Sequence, residues 1–274
     1  MKLMAACIQT QGSPDVTANL ARIEPMIRAA RQRGAEFIAL PENVNLIIPD
    51  RTQLFATARH EAEDQTIAFL KRMTAETGAW ILAGSIALAT DEDKLANRSF
   101  LFNPRGEIVA RYDKIHMFDA TLSETEIYRE SANYRSGASA VVAETPWGKV
   151  GFTICYDVRF PHLYRALAKA GASIITIPAA FAATTGRLHW HVLTRARAIE
   201  TGCFVLAPAQ CGSPGGNRQT YGHSLIIAPD GSILAEAGDE PAIVMAELDL
   251  GKVAEARRRL PCLEHDREFE EPLR

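Results

Sequence analysis

At 274 residues the chain is long enough to bury roughly three quarters of its unfolded surface, and a net charge of −3 argues against the basic footprint that nucleic acid requires. Its 5 cysteines (Cys7, Cys155, Cys203, Cys211, Cys262) are odd in number, scattered and without a CxxC pair, which argues against a disulfide frame or a zinc knuckle and points to a reducing compartment. No apolar run reaches the roughly 18 residues of a membrane span, and Met1 to Cys7 runs into a strand pattern without cleavable signal features, so a cytoplasmic protein with no membrane partner is expected.

The chain opens with an apolar strand over Leu3–Thr10, then Gly12 to Asp15 as a turn and helix cap. Leu20, Ile23 and Ile27 keep helical spacing up to a stop at Gly34, with Pro25 removing one internal hydrogen bond. A buried-type strand over Phe37–Glu42 ends in a carboxylate; a polar loop, a helix over Thr66–Thr77 closed by Gly78, and a strand over Trp80–Leu88 follow. Arg98–Asn103 and Glu107–Lys114 read as a hairpin around Pro104-Arg105-Gly106, and Val141–Thr145 with Lys149–Cys155 as a second around Pro146-Trp147-Gly148. Next come a helix over Leu163–Lys169, a strand over Ser173–Pro178, and a helix over Leu188–Thr201 with Val192, Leu193, Ala196 and Ile199 on one face. Strands over Cys203–Pro208, Ser224–Ala228, Ile233–Ala237 and Ala242–Leu248 complete the set, before a basic helix ending in Arg257-Arg258-Arg259. The tail Pro261–Arg274 reads as a solvated end or an arm. Alternating helices and strands with several hairpins predict mixed rather than parallel sheets, and about a dozen strands predict two of them in a layered α/β protein. Neither a repeat nor a low-complexity linker interrupts the chain, so one domain over 1–274 is expected.

Three ionisable residues share a position: Glu42, Lys114 and Cys155 each terminate an apolar strand. Ligands of open α/β sheets bind beyond strand ends, where side chains of separate strands converge. A thiol there can attack a carbonyl carbon, a carboxylate can take its proton and later activate water, and an ammonium can stabilise an oxyanion. Cys155 stands between the β-prone Gly151 to Ile154 and Pro161, a residue suited to a helix start, so its sulfur is expected near a positive helix end that favours thiolate. The alternatives are a buried structural thiol and two rim charges in ordinary salt bridges.

The residues then match a family. Leu40-Pro41-Glu42, Tyr112-Asp113-Lys114-Ile115-His116 and Cys155-Tyr156-Asp157-Val158-Arg159-Phe160-Pro161 resemble the nitrilase, or carbon–nitrogen hydrolase, superfamily. Phe181 to Gly186, His189-Trp190, Arg195 to Thr201 and Tyr221 to Ser224 extend the match in order along nearly the whole chain. The resemblance implies a four-layer α-β-β-α sandwich with two mixed sheets, Cys155 as nucleophile, Glu42 as base, Lys114 as oxyanion-stabilising cation, and the Tyr156 N–H as second oxyanion donor. It also implies a second glutamate, matched by Glu130 with Glu124 and Glu126 as rivals, because Arg135-Ser136-Gly137 stands where relatives carry proline-glycine. Arg159 matches the position that binds a substrate carboxylate, Thr185 a hydroxyl contact to the same group, and Phe181 the pocket wall.

Cys-Tyr-Asp followed by Arg-Phe-Pro is similar to the Nit branch, whose members are amidases without metal or other cofactor. The substrate implied is a small amide of a 2-oxo acid with an anionic end: deaminated glutathione first, with α-ketoglutaramate or an N-carbamoyl compound as alternatives. The pocket loops Asn43–His60 and Asp119–Gly137 are expected to choose among them, and a homodimer or larger homo-oligomer is implied as well. Against this stand a papain-like reading, which needs a histidine base although His189 and His191 point to different helix faces; a zinc site on those histidines and His223, for which no compact ligand cluster is expected; and an idle binding protein on the same fold.

Overall fold

Alternation along the first strands divides the core. Leu3, Ala5 and Cys7 turn to one side, with Phe37 and Ala39, while Ala6, Ile8, Ile38 and Leu40 turn to the other. A period of two with both faces apolar means a sheet covered on both sides. The computed structural model, which describes residues 1–215 and 218–270, contains two such sheets.

In chain order the first half runs β1 (Lys2–Gln9), α1 (Val16–Gln32), β2 (Phe37–Ala39), α2 (Arg51–Thr57), α3 (Gln65–Thr77), β3 (Trp80–Leu88), β4 (Ala96–Phe102), β5 (Ile108–Asp113) and a small hairpin of β6 (Asp119–Thr121) and β7 (Ile127–Arg129). The second half runs β8 (Val142–Thr145), β9 (Gly148–Phe152), α4 (Pro161–Lys169), β10 (Ala172–Thr176), α5 (Ala183–Thr201), β11 (Phe204–Ala207), a hairpin of β12 (Cys211–Gly215) and β13 (Arg218–Tyr221), then β14 (Leu225–Ile227), β15 (Ile233–Glu236), β16 (Ala242–Asp249) and α6 (Gly251–Arg259). One six-stranded sheet has the order β16-β1-β2-β3-β4-β5, the other β15-β14-β11-β10-β9-β8. Each keeps a parallel centre (β1, β2 and β3; β9, β10 and β11) with antiparallel strands outside it. The sheets pack face to face, with α1 and α3 on the outer side of the first and α4 and α5 on the outer side of the second. This is the expected four-layer α-β-β-α sandwich.

On α1, Leu20, Ile23 and Ile27 are buried against the first sheet, each contributing about 1.5–3 kcal/mol. Asp15 caps the helix by accepting the Ala18 N–H at 3.0 Å, and the helix continues through Pro25. The opposite outcome holds on α5, which begins at Ala183 rather than Leu188. Its buried face is Trp190, Thr194, Arg197, Ala198 and Thr201, whereas Leu188, Val192 and Ile199 are 72%, 66% and 49% exposed. The expected apolar face is therefore split: Val192 and Ile199 point outward, Leu193 packs against the core and Ala196 is half-buried. Arg197 takes the inner position because its Nε donates to the Val158 carbonyl at 2.8 Å and its guanidinium lies 5.3 Å from the Tyr164 ring.

Helix α2 and the hairpins β6/β7 and β12/β13 lie where the sequence shows only polar loops. The basic helix end is only partly solvated: Arg257 donates to the Thr201 and Ala172 carbonyls at 3.1 and 2.7 Å. Asp266 pairs with Arg165 and Lys169, which lays the tail against α4 instead of extending it as an arm. Residues 271–274 of the expected tail lie outside the described residues.

Candidate active site

Strand β2 stops at Ala39, but Leu40, Pro41 and Glu42 continue across β3 at Gly84. A Cβ on Gly84 would lie 1.9 Å from the Leu40 carbonyl oxygen and 2.6 Å from that of Pro41, so only glycine lets this segment deliver Glu42. Its carboxylate is 3% exposed and accepts at Oε1 from Lys114 Nζ (2.9 Å) and Asn97 Nδ2 (3.0 Å), and at Oε2 from the Ala180 N–H (2.7 Å). Glu42 thus reaches from the first sheet to the chain that follows β10 of the second.

Lys114 follows β5 directly. Its carbonyl accepts the Gly137 N–H at 2.7 Å, and a Cβ on Gly137 would come within 2.2 Å of the Asp113 carbonyl oxygen. Gly137 therefore serves the lysine strand although no proline precedes it nearby. The ammonium is 2% exposed and lies between Glu42 and Glu130, whose Oε1 and Oε2 are 2.9 and 2.8 Å away. Of the three candidates for the second carboxylate, Glu130 is the one on the lysine, held in place by the Phe118 N–H at 2.6 Å. Glu126 turns instead to Thr184 and Tyr128, and Glu124 is exposed.

Cys155 stands three residues beyond β9 at φ +47°, left-handed backbone that costs a non-glycine residue about 1–3 kcal/mol. It opens a 3-10 turn, Cys155–Arg159, held by Asp157, which is fully buried. Asp157 accepts from the Ile154 N–H (2.8 Å), Tyr112 Oη (2.7 Å) and the His116 N–H (3.0 Å), so one carboxylate ties the cysteine elbow to the lysine segment. The second N–H of such a turn, that of Tyr156, has no acceptor within it.

These environments set the charges. Burial pushes the Cys155 thiol well above its ordinary value, and the Glu42 carboxylate pushes it further than Lys114 draws it back. For Glu42, burial raises the pKa, but the charge and hydrogen bond of Lys114 and the Ala180 N–H together hold it below the ordinary 4.5. For Lys114, burial opposes the charge, and Glu130 with Glu42 outweighs it, so the ammonium persists well above 10.5. The resting set is a neutral thiol, an ionised carboxylate and an ammonium. That reverses the expected thiolate, because a five-residue 3-10 turn supplies no macrodipole comparable to a long helix and the sulfur is desolvated. A neutral thiol facing an ionised carboxylate can be activated by it in step with attack.

The three groups border one cavity of about 300 Å³. Tyr156, Arg159, Phe181 and Thr185 also line it, as do segments of both expected loops, including Ile47 and Ile48 of one and Tyr128 and Tyr134 of the other. The Arg159 guanidinium lies 5.3 Å from the Phe181 ring and 5.8 Å from that of Tyr156, and Nη1 donates to His189 Nδ1 at 3.2 Å. Thr185 Oγ1 lies 3.4 Å from the Ala182 carbonyl. Sequence reasoning missed three participants. Asn97, in a strand of mixed polarity, binds both glutamates; the Ala180 N–H is backbone and carries no side-chain signal; Arg218 lines the cavity from β13.

Among the described residues no histidine lines the cavity, which leaves a papain-like base without a candidate. The expectation that the histidines form no compact cluster needs correction: with Glu236, His191 and His223 bring ligand-type atoms within 4.8 Å of one another, away from the cavity. Cys7 and Cys203 are core residues, and all five cysteines are unpaired.

A family model for carbon–nitrogen hydrolases matches residues 4–258. Over 267 residues the chain is 40% identical to the deaminated glutathione amidase of Synechocystis, covering 96% of this chain and 97% of that one. It superposes on Saccharomyces cerevisiae Nit3, a member of branch 10 of the nitrilase superfamily, with a TM-score of 0.85 at 31% identity, covering 95% of this chain and 94% of that one. The C. elegans NitFhit protein gives a TM-score of 0.91 at 30% identity, over 97% of this chain but 65% of that longer one.

Proposed function

Since the chain belongs to the carbon–nitrogen hydrolase family, we propose that its cavity hydrolyses a small amide with an anionic end through a thioester on Cys155, deaminated glutathione being the substrate that fits first. One observation carries the reading: a buried ammonium held between two carboxylates borders the same cavity as a neutral thiol at a strained elbow. Glu42 accepts the thiol proton as the sulfur attacks the amide carbon, and the Lys114 ammonium with the Tyr156 N–H stabilises the oxyanion. Glu42 returns the proton to the leaving nitrogen and the C–N bond breaks. It then takes a proton from water, whose oxygen attacks the thioester and releases the acid and the free thiol. Glu130 and Asn97 keep Lys114 and Glu42 aligned. Arg159, which has no carboxylate partner among the described residues, binds the acyl part's carboxylate with Thr185 and Phe181 beside it. From deaminated glutathione the products are 2-oxoglutarate and cysteinylglycine.

The same reading takes 1–274 as one hydrolase domain working in a reducing cytoplasm. Among the described residues no helix is long and apolar enough to cross a membrane. The outward stripe of Leu188, Val192 and Ile199 supports a homodimer across α5; light scattering should give twice the chain mass, and a monomer after Leu188→Glu with Val192→Glu. The substrate reading is tested by measuring kcat/KM for deaminated glutathione and α-ketoglutaramate side by side. A preference for the first is expected. A preference for the second moves the protein to ω-amidase activity, and hydrolysis of neither refutes the amidase reading.

A further inference from the structure

Two guanidiniums border the cavity without a carboxylate partner among the described residues apart from the exposed rim residue Arg129, whose Nη1 donates to the Ala120 and Tyr128 carbonyls. Arg159 stands on the cysteine turn. Arg218 stands on β13, where Nη2 donates to the Ala180 carbonyl at 3.0 Å and the guanidinium lies 5.9 Å from the Tyr128 ring. Its Nε is buried and has no protein acceptor. A pocket-lining guanidinium with donors left open lacks its natural counterpart, an anion.

The two arginines have different neighbours in the cavity wall. Ala180 connects Arg218 to Glu42: its carbonyl accepts from the arginine and its N–H donates to Glu42 Oε2 at 2.7 Å. In the amidase reading Glu42 returns a proton to the departing nitrogen, and Arg218 adjoins Glu42 through this alanine. Arg159 lies instead beside Tyr156 and Phe181, and the same reading gives it the acyl carboxylate.

We propose that Arg218 is a specificity residue that binds a carboxylate on the leaving amine, so that the pocket selects amides carrying one anionic group on each side of the scissile bond. This rests on the amidase reading above and deepens it. An unsubstituted amide, whose leaving group is ammonia, offers Arg218 nothing. A peptide-like leaving group ending in a carboxylate engages it.

The test compares kcat/KM for three substrates in the wild type, Arg218→Gln and Arg218→Lys: deaminated glutathione, the same molecule with its glycine carboxylate converted to a carboxamide, and α-ketoglutaramate. In the wild type, neutralising that carboxylate should lower kcat/KM roughly 10–100-fold, the range of one charge-assisted contact. In Arg218→Gln the same change should matter less than about threefold, and the preference for deaminated glutathione over α-ketoglutaramate should fall by the same factor of roughly 10–100; Arg218→Lys should keep part of it. Activity on α-ketoglutaramate reports that the variants are folded. An undiminished carboxamide penalty in Arg218→Gln overturns the proposal, because the carboxylate is then read elsewhere. An equal loss on all three substrates also overturns it, because Arg218 then acts through Glu42. A wild type inactive on all three removes the amidase reading together with it.

Discussion

The charges of this cavity are treated in two opposite ways. Lys114 and Glu42 are buried and Glu130 is half-buried, and both carboxylates lie within 2.9 Å of the ammonium, while Arg159 and Arg218 face the same cavity with no carboxylate on them among the described residues. A paired set is fixed before substrate arrives, as groups that stabilise a transition state must be. An open cation is useful in the reverse sense, since its charge is available to the ligand. The lesson is that pairing, rather than charge alone, separates groups suited to chemistry from groups suited to recognition.

The sharpest way to break the paired side is Lys114→Met. The buried Glu42 and the half-buried Glu130 then lose their shared cation, which should lower stability by about 3–5 kcal/mol and kcat by about 10²–10³-fold. Urea unfolding and steady-state kinetics check both; a variant losing rate but not stability would mean that Glu42 and Glu130 do not depend on the lysine. Arg159→Leu should do the contrary on the open side. With no ion pair to lose, stability should change by about 1 kcal/mol or less, while kcat/KM for carboxylate-bearing amides falls about 10–100-fold, chiefly through KM.

A smaller effect concerns pH. The Glu42 pKa is depressed, so its stabilising pairing is complete above 4.5 and is lost as pH falls through the lower folded value. The Lys114 pKa is raised, so its share is complete below 10.5 and is lost as pH rises through the higher folded value. Cys155 keeps its proton above the ordinary thiol value of 9.0. Stability and kcat/KM should therefore be level between about pH 6 and 9. An inflection near neutrality would point to a histidine in the proton path instead.

The sequence made the strand-end residues readable because polarity changes abruptly where a buried strand stops: Glu42, Lys114 and Cys155 each stand at or within three residues of a strand's end. Helix faces were readable only in part. The stripe on α1 is buried whereas Val192 and Ile199 of the α5 stripe are exposed, because periodicity reveals an amphipathic face without saying what covers it, and Arg197 is long enough to fill the inner position by hydrogen bonding. Backbone contributions left no trace: the Ala180 N–H that orients Glu42 belongs to an ordinary alanine. Asn97 and Arg218 were hidden differently, one within a strand of mixed polarity and the other on a short polar strand, where only spatial convergence gives a polar residue its meaning.

The central claim is that Cys155 carries the acyl group during turnover. Acid-quenched reactions of the wild type and Cys155→Ala with saturating substrate, read by intact-protein and peptide mass spectrometry, test it directly. The account predicts an acyl adduct located on Cys155 in the wild type, and neither adduct nor turnover in the variant. Continued hydrolysis by Cys155→Ala, or an adduct that maps to another residue such as the exposed Cys262, would contradict it.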